Sequence, residues 1–236
     1  MPARFPSLSV FFPAYNDAPM LPELIRKTFE VLETHVADYE VIVINDGSRD
    51  STAEVLADLC RTYSRLRVVT HAENRGYGGA LRSGFSAARN EFVFYTDGDG
   101  QYDVGELPRL LALVGPDTGL INGYKLERND PAHRIWIGNI YNFCARLLFR
   151  IHIRDIDCDY RLIRRRLLEN IHLTSTSGTI CVELVRKLEL SGCRVEEIGV
   201  HHFPRLYGKS QFFRVRSLAV TFTQLFRLWI RLVLLR

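Results

Sequence analysis

The sequence predicts an α/β fold: a mostly parallel central sheet with helices on both faces, followed by a C-terminal amphipathic helix. Three observations carry this. Apolar runs rich in Val, Ile, Phe and Tyr alternate with stretches of helical apolar spacing four times in succession, the pattern of parallel strands joined by covering helices. The runs are short and continuous, as strands buried on both faces are. Two of them end at carboxylates, Asp46 and Asp97-Gly98-Asp99, and in such sheets ligands sit at the carboxyl ends of strands.

Taken in order, Leu8 to Phe12 reads as the first strand, stopped by Pro13. Leu21 to Val36 has helical spacing, with Leu21, Leu24, Ile25, Phe29, Leu32 and Val36 on one side. Tyr39 to Asn45 is a second strand, ending at Asp46-Gly47-Ser48. Ser51 followed by Glu54 reads as a capping box for a helix through Val55, Leu56, Leu59 and Tyr63. Arg67 to His71 is a third strand, and Tyr77 to Arg89 a helix whose Gly79, Ala80 and Gly84 permit close packing. The strand beginning at Phe92 runs into Asp97, followed by a helix near Glu106 to Val114 and a strand from Thr118 to Gly123. Ile135 to Phe149 and Thr179 to Leu190 have helical patterns, Asp155 to Arg161 reads as a polar loop entering a helix, and Val195 to His202 alternates as a strand.

With 236 residues the chain can form one sizeable domain or two small ones. Hydrophobic residues at 47% and charged residues at 25% exclude wholesale disorder. The net charge is a modest +4, but arginines crowd the second half, which points to an anionic partner. Five scattered cysteines show no zinc-ligand spacing and fit a reducing compartment. The N-terminus has no apolar signal core, and no apolar stretch reaches the ~20 residues of a spanning helix.

The stretch from Phe92 to Gln101 is the centre of the chain. Residues two apart in extended backbone point the same way, so Asp97 and Asp99 can converge on one hard cation. By itself the stretch reads equally as an acidic turn. An EF-hand register fails, with Tyr102 and Pro108 at its sixth and twelfth positions. Leu81 stands where a dinucleotide fingerprint beginning at Gly76 needs its third glycine, and Phe203 where a P-loop ending Gly208-Lys209-Ser210 needs its first.

The segments Pro13-Ala14-Tyr15-Asn16-Asp17, Val43-Ile44-Asn45-Asp46-Gly47-Ser48, Asn74-Arg75-Gly76 and Asp97-Gly98-Asp99-Gly100-Gln101 come in this order and spacing. Together they resemble family 2 glycosyltransferases of the GT-A fold. Asp155 to Arg161, Glu183, Glu197 and Arg205-Leu206-Tyr207-Gly208-Lys209-Ser210-Gln211 look like the polyprenyl-phosphate (dolichyl-phosphate) branch. The resemblance implies that Pro13, Tyr15 and Asp17 line the base and ribose pocket, with Asp17 one methylene shorter than the family's usual glutamate. Asp46 would bind base or ribose, and Arg75, Gly98 and Lys125 would lie along the nucleotide sugar. Lys125 stands where the family often has arginine, and lacks its bidentate fork. Asp97, Asp99 and Gln101 would hold Mg²⁺ or Mn²⁺ and, through it, the donor diphosphate. Arg134, Arg205, Lys209 and Ser210 would meet the phosphate of the acceptor. The catalytic set would be Asp97, Asp99, Arg134, Arg205 and Lys209, acting by single displacement with inversion.

A divalent cation suits this chemistry, because the leaving nucleoside diphosphate gains charge. A lipid-phosphate oxygen is already anionic, so positioning outweighs a general base. The expected partners are a UDP- or GDP-sugar, polyprenyl phosphate and the cytoplasmic face of a membrane, not nucleic acid; a membrane-protein partner or a second copy stays open. Residues 1–211 would be the catalytic domain and 212–236 the helix. That tail puts Arg216, Thr223, Gln224, Arg227 and Arg231 on one side and Leu218, Phe222, Leu225, Phe226, Trp229, Leu232 and Val233 on the other. It reads as a peripheral helix in a membrane interface, or as a terminal helix docked on the protein's own core. Rival functions are transfer to a soluble or polysaccharide acceptor, and a non-catalytic nucleotide-sugar-binding or scaffold protein. Glu183 reads as a buried structural pair or a catalytic group, Arg164 to Arg166 as a solvated or membrane-facing set, and Cys158 as a packing residue.

Overall fold

A computed structural model describes residues 4–127, 132–204 and 215–234, the side chains of 132–134 and 215–220 excepted. Its centre is a seven-stranded sheet, in the order β3-β2-β1-β4-β6-β5-β7. The strands are β1 Phe5–Ala14, β2 Val36–Asn45, β3 Leu66–Thr70, β4 Phe92–Thr96, β5 Thr118–Lys125, β6 Tyr160–Arg164 and β7 Arg194–Val200. All adjacent pairs are parallel except those of β6, which runs antiparallel to β4 and β5. The helices are α1 Leu21–His35, α2 Thr52–Thr62, α3 Tyr77–Ala87, α4 Leu107–Leu111, α5 Ala132–Phe149, α6 Arg165–Glu169, α7 Thr179–Leu190 and α8 Val215–Trp229.

Strand alternation splits the core into two layers. Leu8, Val10, Phe12, Val41, Val43, Phe92 and Phe94 face α1, α2 and α4. Phe11, Ile42, Ile44, Val93, Tyr95 and Ile163 face α3, α5, α7 and α8. Both faces are covered, which is why the strand sequences run apolar without a break. The antiparallel insertion of β6 puts its first residue, Tyr160, beside Thr96 at the carboxyl end of β4. The loop feeding β6 therefore arrives at the ligand end of the sheet.

Four local expectations are corrected. Pro13 does not stop β1: Pro13 and Ala14 still pair with Ile44 and Asn45, while pairing with β4 ends at Phe11. The proline sits where that side of β1 is already an edge and its missing N–H is harmless. Ser51 makes no side-chain cap on α2; Asp50 does the work, its Oδ1 accepting from the Thr52 N–H at 3.1 Å and the Thr52 hydroxyl at 2.6 Å. The segment after Asp159 enters a strand, because Tyr160 and Leu162 pack in one layer and Ile163 in the other. Arg164 is not a solvated residue. It donates to the carbonyls of Thr118, Gly115 and Pro116 and covers the Phe92 ring at 4.5 Å.

The C-terminal helix docks one face on the core. Leu228 is 3% exposed, and Leu225, Trp229, Leu232 and Val233 pack against the second layer. The Trp229 indole donates to the Leu148 carbonyl at 3.1 Å, which ties α8 to the end of α5.

Candidate active site

The parallel strands bring three predicted segments to one edge. Asp46 follows β2, Tyr15 follows β1 and Asp97 follows β4, with β1 lying between the other two. The Asp46 N–H donates to the Ala14 carbonyl at 2.9 Å, carrying the sheet one residue past β2. On the other side Gly98 lies against β1, where a Cβ would stand 2.7 Å from the Pro13 carbonyl oxygen. Only glycine lets the two acidic segments close on the end of β1 from both flanks.

Beyond Tyr15 the chain turns on itself. Asp17 Oδ2 accepts from the Tyr15 N–H at 2.9 Å, the Ser48 hydroxyl from the Asn16 N–H at 3.0 Å, and Asn16 Oδ1 from the Arg49 N–H at 2.8 Å. The segments after β1 and β2 are thus laced together. Asp46 is 3% exposed. Its Oδ1 accepts from the Arg75 N–H at 2.8 Å and lies 2.6 Å from His71 Nδ1. Gly47, at φ +67°, allows the approach: a Cβ there would meet Asn74 N at 2.6 Å. Arg75 therefore reaches the site through its backbone, with its side chain on an exposed residue.

Each carboxylate after β4 is anchored within the site. Tyr77, at the start of α3, donates its hydroxyl to Asp97 Oδ1 at 2.7 Å. Burial pushes the Tyr77 hydroxyl well above its ordinary value, and Asp159 and Asp97 add to the effect, so it stays a donor. Asp99 Oδ1 accepts from the Gln101 N–H at 3.0 Å. Gln101 binds the segment after β7: its amide donates to the Phe203 carbonyl at 3.1 Å and its own carbonyl accepts from the Phe203 N–H. A metal role for Gln101 thus falls to its side-chain oxygen.

The donor set fits a hard divalent cation. Among the described residues no cluster of three or more His, Cys, Asp or Glu side chains is arranged to hold a metal alone. Two carboxylates at a strand end supply part of an oxygen shell, and diphosphate oxygens and water complete such shells for Mg²⁺ and Mn²⁺.

Lys125 ends β5 at the same edge and donates its ammonium to the Asp157 carbonyl at 2.8 Å. Asp155 folds the loop, accepting from the Asp157 N–H at 3.0 Å. Asp159 turns inward to Arg161, which is fully buried and also donates to Tyr95, Asn122 and the Ile156 carbonyl. Cys158 is 0% exposed, its thiol pushed up to about 12 by burial first and Asp155 second, so it is a packing residue. Arg205, Lys209 and Ser210 lie outside the described residues, as does the Arg134 side chain.

Glu183 is a buried structural pair. Its carboxylate accepts from Lys187 at 2.6 Å, from the Ser175 N–H at 2.8 Å and from the Thr174 N–H. Burial pushes this carboxyl up, but Lys187 and the two N–H groups outweigh it and hold it below its ordinary value. A depressed carboxyl stabilises the fold above its unfolded pKa, and that contribution is lost as pH falls through the folded one. Glu183→Gln is expected to lower the melting temperature at pH 7. The gap to the unsubstituted protein should narrow below about pH 4.5, read by thermal melts from pH 7 to 3. A constant gap refutes it. The segment held by Glu183 matters to the site, because the Thr176 carbonyl accepts from the Gly78 N–H at 3.0 Å and so seats the start of α3.

Two supporting residues escaped the motif reading, His71 and Tyr77, and Arg161 closed a motif segment without a role of its own. His71 and Tyr77 are visible in the sequence only as a strand end and a helix start, and Arg161 as the end of the polar loop that begins at Asp155.

This arrangement, acidic groups at the carboxyl ends of parallel strands with one antiparallel strand inserted, is the GT-A fold of nucleotide-sugar-dependent transferases. A mannosyltransferase from Pyrobaculum calidifontis, solved with GDP-Man and Mn²⁺, superposes with a TM-score of 0.65 at 20% identity over 93% of this chain and 64% of that one. Glucosyl-3-phosphoglycerate synthase from Mycobacterium tuberculosis, solved with Mn²⁺, UDP and phosphoglyceric acid, gives 0.66 at 17% over 95% and 78%. Residues 9–172 match the profile of glycosyl transferase family 2, and the chain belongs to that family. Curated relatives include undecaprenyl-phosphate 4-deoxy-4-formamido-L-arabinose transferases from Pseudomonas fluorescens (29% identical, 91% of this chain, 62% of that protein) and Pseudomonas aeruginosa (30%, 91% and 63%). The chain therefore spans a little under two thirds of the length of these relatives.

Proposed function

We propose that this protein is a metal-dependent inverting glycosyltransferase that moves a sugar from a UDP- or GDP-sugar to polyprenyl phosphate at the cytoplasmic face of a membrane. The observation that carries the reading is the convergence of Asp46, Asp97 and Asp99 on the end of β1 in a family 2 chain. The names of the curated relatives support the acceptor.

In this reading Asp46 and the Tyr15 turn hold the nucleoside, and Asp97 and Asp99 hold the cation with the diphosphate. Bound Mg²⁺ or Mn²⁺ offsets the charge on the departing nucleoside diphosphate. An anionic phosphate oxygen of the acceptor forms a bond to the sugar C1 from the face opposite the bond that breaks. Arg134, Arg205, Lys209 and Ser210 are proposed to orient that phosphate. The test offers labelled UDP- and GDP-sugars with polyprenyl phosphate and Mg²⁺ or Mn²⁺, and counts label in the organic phase. No transfer from any donor refutes the acceptor; transfer only to soluble acceptors favours the rival within the family.

Membrane attachment is proposed for two helices. On α5, Trp136, Ile140, Phe143 and Leu147 recur at helical spacing and are at least half exposed, as are Phe222 and Phe226 on α8. Neither helix contains Asp or Glu. Among the described residues no helix is long and apolar enough to cross a membrane. An apolar stripe without acidic residues suits an anionic lipid surface, where each nearby Arg adds about 1 kcal/mol. The protein is expected to sediment with phosphatidylglycerol vesicles. The triple substitution Trp136→Glu, Phe143→Glu, Phe226→Glu should lower partitioning at least about a hundredfold, since a buried aromatic contributes ~1.5–3 kcal/mol. Unchanged sedimentation sinks the assignment.

A further inference from the structure

Behind Asp46 lies a residue that the donor chemistry does not use. His71 directly follows β3 and is 4% exposed. Its Nδ1 stands 2.6 Å from Asp46 Oδ1, and its Nε2 stands 2.8 Å from the Ser83 hydroxyl on α3. The backbone fixes the ring as well, the His71 N–H donating to the Asn45 carbonyl at 2.9 Å. With Asp46 ionised, Nδ1 carries the proton and donates, and Nε2 accepts from Ser83; the tautomer follows from the network. Asp46, His71 and Ser83 thus form one line of hydrogen bonds from β2 through β3 to α3.

The contacts on Asp46 are one-sided. The His71 ring and the Arg75 N–H both fall on Oδ1. Oδ2 is then the oxygen available to a ligand. A buried carboxylate without partners would take up a proton or rotate. Held by two donors on one oxygen, it keeps one rotamer and presents one acceptor to the N–H of a base or the hydroxyls of a ribose.

We propose that His71 is a positioning residue for the nucleotide: it fixes Asp46 so that a single oxygen reads the nucleoside. This rests on the reading of Asp46 as a nucleotide contact, and the experiment separates the two. UDP and GDP, each with Mn²⁺, are titrated calorimetrically into the unsubstituted protein, Asp46→Asn, His71→Leu, His71→Asn and the double variant Asp46→Asn/His71→Leu. Asp46→Asn is expected to weaken the preferred nucleotide at least tenfold, and His71→Leu to weaken it about as much. His71→Asn restores binding to within threefold of the unsubstituted protein, because its amide N–H can stand near the place of Nδ1. The double variant is no worse than Asp46→Asn alone, because His71 acts only through Asp46. Ser83→Ala, which removes the outer hydrogen bond, carries the same cycle if His71→Leu does not fold.

Losses that multiply in the double variant assign His71 a general structural role and overturn the proposal. So does undiminished binding by folded His71→Leu, and so does a His71→Asn variant as weak as His71→Leu. If Asp46→Asn itself binds both nucleotides normally, the nucleoside contact lies elsewhere and the proposal falls with it.

Discussion

Asp99→Ala is expected to lower sugar transfer by about a hundred- to a thousandfold, the range found when one pre-set group that stabilises charge in a transition state is removed. The loss should follow the cation. Asp99 lies on the Gly98–Gly100 turn, its Oδ1 fixed by the Gln101 N–H, and it is 5% exposed. Its rotamer is set before any ligand arrives, so little reorganisation is left to the binding step. Removing the carboxylate should leave the fold nearly intact, because the turn keeps its pairing to Phe203 through Gln101. Manganese titration with UDP, followed by electron paramagnetic resonance, should show weaker binding alongside the lost turnover. Chelation by EDTA should abolish transfer in the unsubstituted protein, and Mg²⁺ or Mn²⁺ should restore it. Full activity in Asp99→Ala, or in EDTA, would remove the cation from the proposal.

The sheet and its ligand edge were legible because local and global signals agree there. Continuous apolar runs such as Val41 to Ile44 and Phe92 to Tyr95 are buried on both faces, so each strand announces itself without reference to its neighbours. The carboxylates that end them are legible for the same reason: a strand end is a place, and parallel order puts all such places at one edge. What supports those carboxylates is not local. His71 meets Asp46 across 25 residues and Tyr77 meets Asp97 across 20. Neither pair has a spacing that periodicity can register. The tail was half legible. Its amphipathic pattern is there, but whether core or lipid takes the apolar side depends on a surface formed by α5 and α7. Leu228 is buried and Phe226 exposed, so the apolar side is wide enough to dock on the core and still leave aromatic surface outside.

Arg161 marks where the sequence said least about the role. It reads as the end of a polar loop, yet among the described residues it is the largest fully buried side chain. Burial opposes its charge, but Tyr95 and Asp159 outweigh that and hold it protonated. Nε donates to Asn122 Oδ1 at 2.7 Å, and the other nitrogens to Tyr95, Asp159 and the Ile156 carbonyl. One side chain therefore joins β4, β5 and β6 to the loop that holds Asp155 and Asp157. Arg161→Met keeps much of the volume and leaves Asp159 as a buried charge with only the Tyr95 hydroxyl at 3.3 Å and the Cys181 thiol at 3.2 Å. Breaking a buried pair on one side costs about 3–5 kcal/mol, or roughly 6–20 °C of melting temperature for a chain of this size. Arg161→Lys should recover little, since an ammonium lacks the planar fork that reaches four acceptors at once. Arg161→Met combined with Asp159→Leu should recover more than half of the loss, because no unpaired charge then remains. Urea unfolding of the four proteins decides the matter. A single-variant loss under about 1 kcal/mol, the level of an exposed pair, would mean that Asp159 finds water when Arg161 is gone. The same variants test the link to function. If Arg161 also sets the 155–159 loop, the double variant should regain stability while acceptor KM stays raised.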